Sequence, residues 1–483
     1  MAVAGTAKRG GGEAAPPRTG SDARVVGLIT LAAAALYAGV GLLQFTAFRA
    51  GTYDLVIFDQ AIRSYSRFES PVSIAKGVHN EFGRDFPVLG DHWSPILMLL
   101  APLYWLHDGP KTLIVAQAVL IAASIPVVWA FARRRLGNRA AIFAAGAYAL
   151  SWPVAEAVVF DFHEVAFAPL LVALMIERFD AGKARWGLAA AGLLLLVKED
   201  MGLLIAGYGL YLLAARRQWW RMGLVFLVGG LGAVWIATRL LIPLFGGKAD
   251  YYWAYGKLGP DIPGVLGTMV TDPLRAIETL GTPQAKLWTL ACLGAMVLFA
   301  CLLSPLTLVA LPPLAARLLA GDFPNWWGTQ YHYNAFIVAV LFLAAIDGTS
   351  RLRAYGETWA KAVLVVSVLL MPFFAYGRLV TDTIVGDDRR GAARAAVAQV
   401  PSGVLVESAN RLGPALSARA RVLLWDRTPR FAPWVVADVS RRTFPFKSVE
   451  EQRNRVDFLR RHGYRTVFER GGYIVLRTTR PAR

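Results

Sequence analysis

Long apolar stretches, separated by short polar segments, fill most of the chain from Val25 to Gly377. A helix needs about 20 apolar residues to cross a bilayer, and it satisfies its own backbone hydrogen bonds in lipid. The pattern therefore predicts an all-α polytopic membrane bundle of about 11 transmembrane helices over residues 24–377. The two stretches on either side of Lys198 are too short to cross alone, so we expect them to be tilted or to meet at a turn inside a protein-lined cavity.

The pattern changes near residue 378, where short runs typical of buried strands alternate with turn residues and one amphipathic segment. The expected strands are Val404–Val406, Val422–Trp425 and Trp434–Ala437, followed by a helix over 449–462 and a hairpin over 466–476. This arrangement predicts a small C-terminal α/β soluble domain over residues 378–483. Residues 1–23 show no periodicity, and we expect them to be a disordered tail.

Composition agrees with a membrane protein, because 56% of the residues are hydrophobic and only 17% are charged. The net charge of +18 would suggest nucleic-acid binding in a soluble protein, but here the basic residues flank apolar stretches. That placement is typical of the positive-inside rule and of contact with anionic lipids. We expect membrane lipids as partners and no nucleic acid.

The loops that carry Arg133–Arg135, Arg216–Arg217 and Arg351 all fall on one side of the bundle when the N-terminus is placed in the cytoplasm. Acidic residues gather at the opposite ends of the stretches. With an odd number of spans, the C-terminal domain is then extracytoplasmic. The C-terminal segment 386–483 contains 20 Lys and Arg against 9 Asp and Glu, a net +11, which suits anionic headgroups or an anionic substrate and equally a solvated basic surface.

The first outer loop, residues 48–93, is long and polar, and we call it the first loop. Asp54, Phe58, Ile62 and Tyr65 fall at helical spacing, which predicts a surface helix with Asp59 and Arg63 one turn apart. A carboxylate at the mouth of a helix bundle is suited to general-base catalysis on a hydroxyl group. The alternative is a solvated Asp59 paired with Arg63.

His92 follows in the same loop, ahead of a second expected interfacial helix that begins with Ser94 as N-cap and Pro95. Beside Asp91, this imidazole could titrate near neutral pH, ligate a metal or form a helix-entry hydrogen bond.

Two further clusters interrupt apolar stretches. Asp161, His163 and Glu164 offer the side chains that a divalent cation binds, although without known geometry. Lys198, Glu199 and Asp200 are three successive charges that would each cost roughly 2.5–3.5 kcal/mol at mid-membrane, so they must face a polar cavity or an interface. Lys198 is a natural contact for phosphate, and the alternative is a charge cluster that only caps the helices.

Arg239 and His332 are expected on the same outer side as Lys198. Together the three could form a cationic pocket for a phosphate group.

Four motifs, taken in order, carry a resemblance to a known family: Tyr53-Asp54 with Phe58-Asp59-Gln60, His92-Trp-Ser-Pro95, Phe160-Asp-Phe-His163-Glu164, and Lys198-Glu-Asp200. They resemble the bacterial membrane-protein family of domain of unknown function 2079, from Val25 onward. The layout is in turn similar to the C-type glycosyltransferase superfamily, which includes protein O-mannosyltransferases and lipid A aminoarabinose transferases.

This resemblance implies that Asp59 occupies the position of the catalytic acid, His92 that of the histidine at a helix start, and Lys198 that of the lysine facing a lipid-linked phosphate. Two departures are present, because Gln60 stands where many members have a second acid and Trp93-Ser94 replaces the first proline.

We therefore expect a glycosyltransferase of a bacterial plasma membrane that moves a sugar from a polyprenyl-phosphate carrier to an acceptor on the outer face. Asp59 would be catalytic, and Asp54, His92, Lys198, Glu199, Asp200, Arg239 and His332 would bind substrate. No cofactor is required by the sequence, and a divalent metal on Asp161, His163 and Glu164 stays an open alternative. The rival hypotheses are a transporter or lipid flippase and a non-catalytic envelope assembly protein.

Overall fold

A computed structural model describes residues 19–352, 354–385 and 389–479. The expected disordered tail lies mostly outside these residues. Its last part, residues 19–23, belongs to the first helix instead.

The described chain is mainly helical, as the apolar pattern predicts. Its α-helices are α1 (Thr19–Thr46), α2 (Ile57–Ser66), α3 (Ile74–His79), α4 (Ala101–Tyr104), α5 (Pro110–Ala122), α6 (Ile125–Leu136), α7 (Asn138–Leu150), α8 (Trp152–Val159), α9 (Ala168–Asp180), α10 (Ala184–Leu194), α11 (Gly202–Ala215), α12 (Trp220–Ile236), α13 (Ile242–Leu244), α14 (Ile262–Thr271), α15 (Pro273–Gly281), α16 (Ala285–Ala295), α17 (Leu311–Leu319), α18 (Pro324–Trp327), α19 (Ala335–Ser350), α20 (Gly356–Leu370), α21 (Ala375–Leu379), α22 (Arg390–Ala398), α23 (Pro414–Ser417) and α24 (Val449–Arg461).

Shorter turns of 3-10 helix connect or extend several of these helices. They are Val88–Gly90, Pro95–Leu100, Glu164–Phe167, Glu199–Met201, Arg217–Trp219, Ala300–Leu303, Pro305–Val309 and Met371–Phe373, and π-helical turns cover Thr52–Val56, Ala237–Leu241 and Val380–Val385.

Four continuous helical segments of the described chain are long and apolar enough to cross a membrane: Ser21–Thr46, Pro110–Leu136, Arg217–Leu244 and Gly356–Asp382. The bent pair α7 and α8 would add a fifth. The expected number of about 11 spans is therefore not confirmed and stays a prediction. The reason is that several apolar helices, such as α16 and α19, are shorter than a bilayer is thick.

Helix α19 forms the centre of the bundle, because every residue from Ala335 to Thr349 is buried. Helices α11 and α12 pack closely through glycines. A Cβ atom added at Gly202 would lie 2.4 Å from the carbonyl oxygen of Gly230, so only glycine permits this approach.

The basic loops at one end of the bundle form ion pairs with carboxylates at the ends of α9 and α19. Arg134 binds Glu177, and Arg135 binds both Asp180 and Asp347. Glu177 and Asp347 are buried, and each also pairs with a second arginine, Arg178 and Arg351 respectively, so both carboxylates are neutralised in the interior. The C-terminal domain lies at the opposite end, which we call the domain side.

The C-terminal domain contains a five-stranded sheet in the order β2-β1-β3-β5-β4. Its strands are β1 (Leu405–Ser408), β2 (Arg421–Leu424), β3 (Trp434–Asp438), β4 (Tyr464–Arg470) and β5 (Tyr473–Thr478). β1 pairs in parallel with β2 and β3, whereas β5 pairs antiparallel with β3 and β4. The strands, the hairpin and the helix expected from the sequence are confirmed, and α22 is an additional helix.

The first loop packs into the core of the C-terminal domain rather than lying alone on a membrane surface. Val56, Ile57 and Ala61 of this loop are buried in the same apolar cluster as Val422 and Trp425 of the domain. The expected helix is present as α2, preceded by the turn Thr52–Val56. The second expected helix is instead a 3-10 turn followed by the short α4.

Polar contacts join the same two parts. The Gln60 side-chain amide donates to the carbonyl oxygen of Val422 at 2.8 Å, and His79 Nδ1 lies 2.9 Å from Asp426 Oδ2. Ser417 of α23 donates to the carboxylate of Asp59. The C-terminal domain is thus attached to the bundle through the first loop.

Asp59 is the centre of this attachment. It is fully buried, its Oδ2 lies 2.9 Å from Arg63 Nη1, and Tyr104 Oη donates to its Oδ1 at 2.8 Å. Replacing Asp59 by Ala should destabilise the protein by about 1–3 kcal/mol, because the Tyr104 and Ser417 hydroxyl groups lose their buried acceptor. Arg63 also loses its buried partner, although it keeps its ion pair with the more exposed Asp108. The measurement is the melting temperature of the detergent-purified protein.

Asp457→Ala is the matched control, because this exposed carboxylate pairs with Arg460 on the surface of α24, and its loss should change the melting temperature little. Equal melting temperatures for the two variants would contradict the assigned role of Asp59.

Candidate active site

Polar side chains converge on the domain side of the bundle, where several apolar helices are interrupted. The contributing segments are the turn Thr52–Val56, residues 91–93, the loop 160–164 before α9, the break 198–201 between α10 and α11, and residues 331–334 before α19. Charged residues fall at these breaks because they cannot remain in the apolar part of a helix. The expected turn at Lys198 between two short helices is therefore present.

Asp54 and two histidines form the first part of this cluster. Asp54 Oδ1 lies 3.5 Å from His163 Nε2, and the rings of His163 and His332 are stacked with centroids 3.8 Å apart. His332 is buried, and its Nδ1 has no hydrogen-bond partner among the described residues. The site therefore has an imidazole nitrogen available to a ligand beside a carboxylate.

Asp161 lies next to Asp54, and its Oδ2 accepts a hydrogen bond from the backbone N–H of Gly51 at 2.8 Å. Burial raises the pKa of Asp161 to about 7, and the negative charge of Asp54 adds to this effect. Asp54 and Asp161 are thus neighbouring carboxyl groups in different environments. Such pairs are common in sites that perform acid–base catalysis.

Glu164 and Lys198 form a buried ion pair, with Oε1 3.0 Å from Nζ. Burial alone would raise the pKa of Glu164, but the charge of Lys198 lowers it to about 2. Glu199 and Asp200 are further electrostatic neighbours of Lys198. The positive charge of Lys198 is consequently surrounded by three carboxyl groups.

His92 completes the cluster. Its Nδ1 lies 2.8 Å from Glu199 Oε1, and its ring stacks on Tyr252 at a centroid distance of 4.9 Å. Glu199 Oε2 also accepts from the backbone N–H of Trp93 at 3.2 Å. The expected capping bond does not form, since no backbone N–H of the following turn donates to the Ser94 hydroxyl, which itself donates to the His92 carbonyl oxygen.

Sequence reasoning missed a second polar group that supports His92. Lys76 Nζ is buried 2.8 Å from Asp91 Oδ1 and within 3.1 Å of the hydroxyl oxygens of Tyr53 and Tyr252. Burial would lower the pKa of Lys76, but the charge of Asp91 outweighs it and raises the pKa. A lysine in the short apolar segment around Ile74 was the only signal in the sequence.

The C-terminal domain also reaches this site. The carbonyl oxygen of Asn410 accepts from the Thr52 N–H at 2.6 Å, and its side-chain oxygen accepts from the Tyr53 N–H at 2.9 Å. These bonds hold the turn that carries Asp54, and they place Arg411 among the charges that act on Asp161. No motif in the sequence indicated this contribution.

Two expected site residues lie elsewhere. Asp59, expected as the catalytic acid, is fully buried and bound by Arg63, Tyr104 and Ser417, so no lone pair faces the cluster of Asp54 and His163. Arg239 pairs with Asp250 at 2.7 Å, and no contact among the described residues joins it to Lys198 or His332 in the expected cationic pocket.

The expected metal ligands do not converge. No group of three or more His, Cys, Asp and Glu side chains in the described ranges is arranged to hold a metal ion. Asp161 binds the Gly51 N–H, His163 faces Asp54, and Glu164 pairs with Lys198. Neighbouring residues of this extended segment point in different directions, which is why proximity in sequence was misleading.

Comparison with known proteins gives no match among curated sequences. The structure of ArnT from Cupriavidus metallidurans bound to undecaprenyl phosphate aligns with 15% identity and a TM-score of 0.47, over 92% of this chain and 97% of that one. The oligosaccharyltransferase of Archaeoglobus fulgidus tethered to an acceptor peptide aligns with 12% identity and a TM-score of 0.42, over 85% and 69%. At these TM-scores neither alignment establishes a shared fold.

The family expected from the four motifs is confirmed over almost the whole chain, and with its long apolar helices the protein is a multi-pass membrane protein. The family model described as "Predicted membrane protein (DUF2079)" matches residues 45–475, and the chain belongs to this family.

Proposed function

We propose that this protein is a membrane glycosyltransferase that transfers a sugar from a polyprenyl-phosphate carrier to a hydroxyl acceptor on the outer face of the membrane. The observation that carries the proposal is the convergence of Asp54, Asp161, His163, His332 and the Lys198 group at one site where the bundle meets the C-terminal domain. A one-sided site of this kind favours catalysis over alternating access, which would require a path through the bundle.

Asp54 is the proposed general base. Its side chain retains 30% of its accessible surface, whereas Asp59 has none. His163 lies within 3.5 Å of Asp54 and can orient the carboxylate. A base must reach the proton that it removes, so the exposed carboxylate is better suited to this role than the buried one.

The proposed transfer is a single displacement that inverts the anomeric centre. The Asp54 carboxylate takes the proton of the acceptor hydroxyl, and the acceptor oxygen forms a bond to the anomeric carbon. The bond between that carbon and the phosphate oxygen breaks, and its electron pair leaves with the polyprenyl phosphate.

The carboxyl groups near Lys198 are suited to binding the hydroxyl groups of a sugar. Glu199, held by His92 and the Trp93 N–H, and Asp200, whose Oδ1 is buried without a hydrogen-bond partner in the described chain, are the proposed contacts. Three carboxyl groups compensate the charge of Lys198, so we assign it to holding Glu164 rather than to binding phosphate. The cation for the leaving phosphate must then come from another part of the protein.

Asp54→Asn tests the base. It should lower the transfer rate by about 10²–10⁴-fold, because the amide cannot accept the acceptor proton. The measurement is sugar transfer by the purified protein from a panel of polyprenyl-phosphate hexoses and pentoses.

Asp457→Asn, on the exposed face of α24, is the matched control and should keep the wild-type rate. An Asp54→Asn protein that transfers sugar at the wild-type rate would remove the proposed base.

The pH dependence of the reaction should report Asp161. Its carboxyl group is neutral below a pH of about 7 and charged above it. A second negative charge beside Asp54 makes Asp54 a stronger base, so kcat/KM should rise as the pH increases through about 7. Asp161→Asn should remove this inflection, whereas an unchanged profile in that variant would assign the inflection to another group.

A further inference from the structure

A cavity of about 180 Å³ lies between the end of α1 and the C-terminal domain. Its lining is rich in arginine, with six such residues from four segments of the chain: Arg49, Arg389, Arg390, Arg411, Arg441 and Arg442. We call it the arginine cavity.

The acidic residue among the described lining residues, Asp438, is already bound. Its Oδ1 lies 3.1 Å from Arg389 Nη1, and it also accepts from the Ser440 N–H at 3.0 Å. The Arg389 guanidinium lies 4.8 Å from the centroid of the Tyr473 ring, which fixes its position. Asp438 therefore compensates Arg389 and forms no ion pair with Arg390, Arg411 or Arg442 in the described chain.

Arg390, Arg411 and Arg442 have no ion pair with a carboxylate in the described part of the chain. Arg390 is the most informative, because its Nε and Nη2 atoms are buried and have no hydrogen-bond partner in the described ranges. Leaving charged donors buried and unsatisfied is costly, so such donors call for a partner, and a bound anion is one that suits a guanidinium group. Arg390 is also the first residue of α22, whose positive dipole end adds to the potential.

A second cavity, of about 240 Å³, adjoins the first and shares Arg49 and Arg411 with it. Phe160 and Tyr331 line its other side. Phe160 is stacked on His163 with centroids 5.1 Å apart. The two cavities therefore extend from the arginines to the side chains that flank Asp54.

We propose that the arginine cavity binds a phosphate or diphosphate group. Planar guanidinium groups bind phosphate oxygens in pairs, and the three arginines that form no ion pair within the described ranges match a dianion or trianion. Pockets for drug-sized ligands measure roughly 300–1,000 Å³, so a cavity of 180 Å³ suits the phosphate group alone rather than a whole glycolipid.

This inference deepens the proposed function, because it supplies the cation that Lys198 does not. The role of the bound phosphate as a leaving group rests on the proposed function, whereas the binding of phosphate in the cavity does not. The phosphate could belong to a polyprenyl phosphate in the membrane or to a soluble phosphorylated molecule, and these two sources share the same chemistry.

Binding can be tested without turnover on the full chain in nanodiscs of zwitterionic lipid. Inorganic pyrophosphate should bind in calorimetry, with sodium chloride added to match ionic strength. The double variant Arg390→Gln/Arg442→Gln should bind about tenfold or more weakly, because it loses charge-assisted hydrogen bonds. The double variant Arg461→Gln/Arg470→Gln removes the same charge from exposed positions outside the cavity and should bind as the wild type does.

Polyprenyl phosphate in the same nanodiscs identifies the source. If it weakens pyrophosphate binding in the wild type, the site takes a lipid phosphate. If it does not, while pyrophosphate still binds, the site takes a soluble phosphorylated ligand.

Absence of pyrophosphate binding to the wild type, or equal binding to the Arg390→Gln/Arg442→Gln protein, would overturn the proposal. Should that variant not fold, Arg442→Gln alone, at an exposed position, gives the same comparison.

Asp54→Asn separates this inference from the proposed function. It should lower the transfer rate as predicted above and leave pyrophosphate binding unchanged. Transfer that persists in Asp54→Asn would contradict the catalytic mechanism only. Equal pyrophosphate affinity in the wild type and in the Arg390→Gln/Arg442→Gln protein would contradict the proposed phosphate site only.

Discussion

The burial of the first loop against the C-terminal domain is the constraint on which the arrangement of the site depends. Val56 and Ile57 enter the core of the domain, and the Asp59 carboxylate lies at the same contact between Arg63 and Ser417. Because the loop is fixed on both of its faces, the turn that carries Asp54 has a defined position. A soluble domain joined only by a linker could not hold a carboxylate over the end of a helix bundle.

Through the same contact, the C-terminal domain contributes residues to the candidate site. Its segment Asn410–Arg411 binds the backbone of Thr52 and Tyr53 and brings a guanidinium close to Asp161. The domain is therefore part of the candidate site and not a separate binding module. This contact makes a non-catalytic envelope protein with a free basic tail a less suitable description.

Charge is divided between two neighbouring regions of the domain side. Around Lys198, carboxyl groups outnumber cations, which suits proton transfer and the binding of sugar hydroxyls. Among the described residues that line the arginine cavity, six arginines stand against the single carboxylate of Asp438, which suits an anion. A transferase for a lipid-linked sugar needs both environments next to each other, since the hydroxyl groups and the phosphate belong to one substrate.

The sequence by itself determined the class of the protein and most of its local structure. Apolar length identified a multi-pass membrane protein, although not its number of spans. Short apolar runs identified β1 to β3, and the turn at Gly471-Gly472 identified the hairpin of β4 and β5. The cost of burying charge located the break at Lys198 and the loop at His163. These features depend on neighbours in the chain, so a single sequence contains them.

Only the tertiary structure decided which acid is accessible, because Asp54 and Asp59 differ by contacts with residues far along the chain, such as Ser417. It also decided that Asp161, His163 and Glu164 point apart and that arginines from residues 49 to 442 meet in one cavity, since both depend on the packing of distant segments.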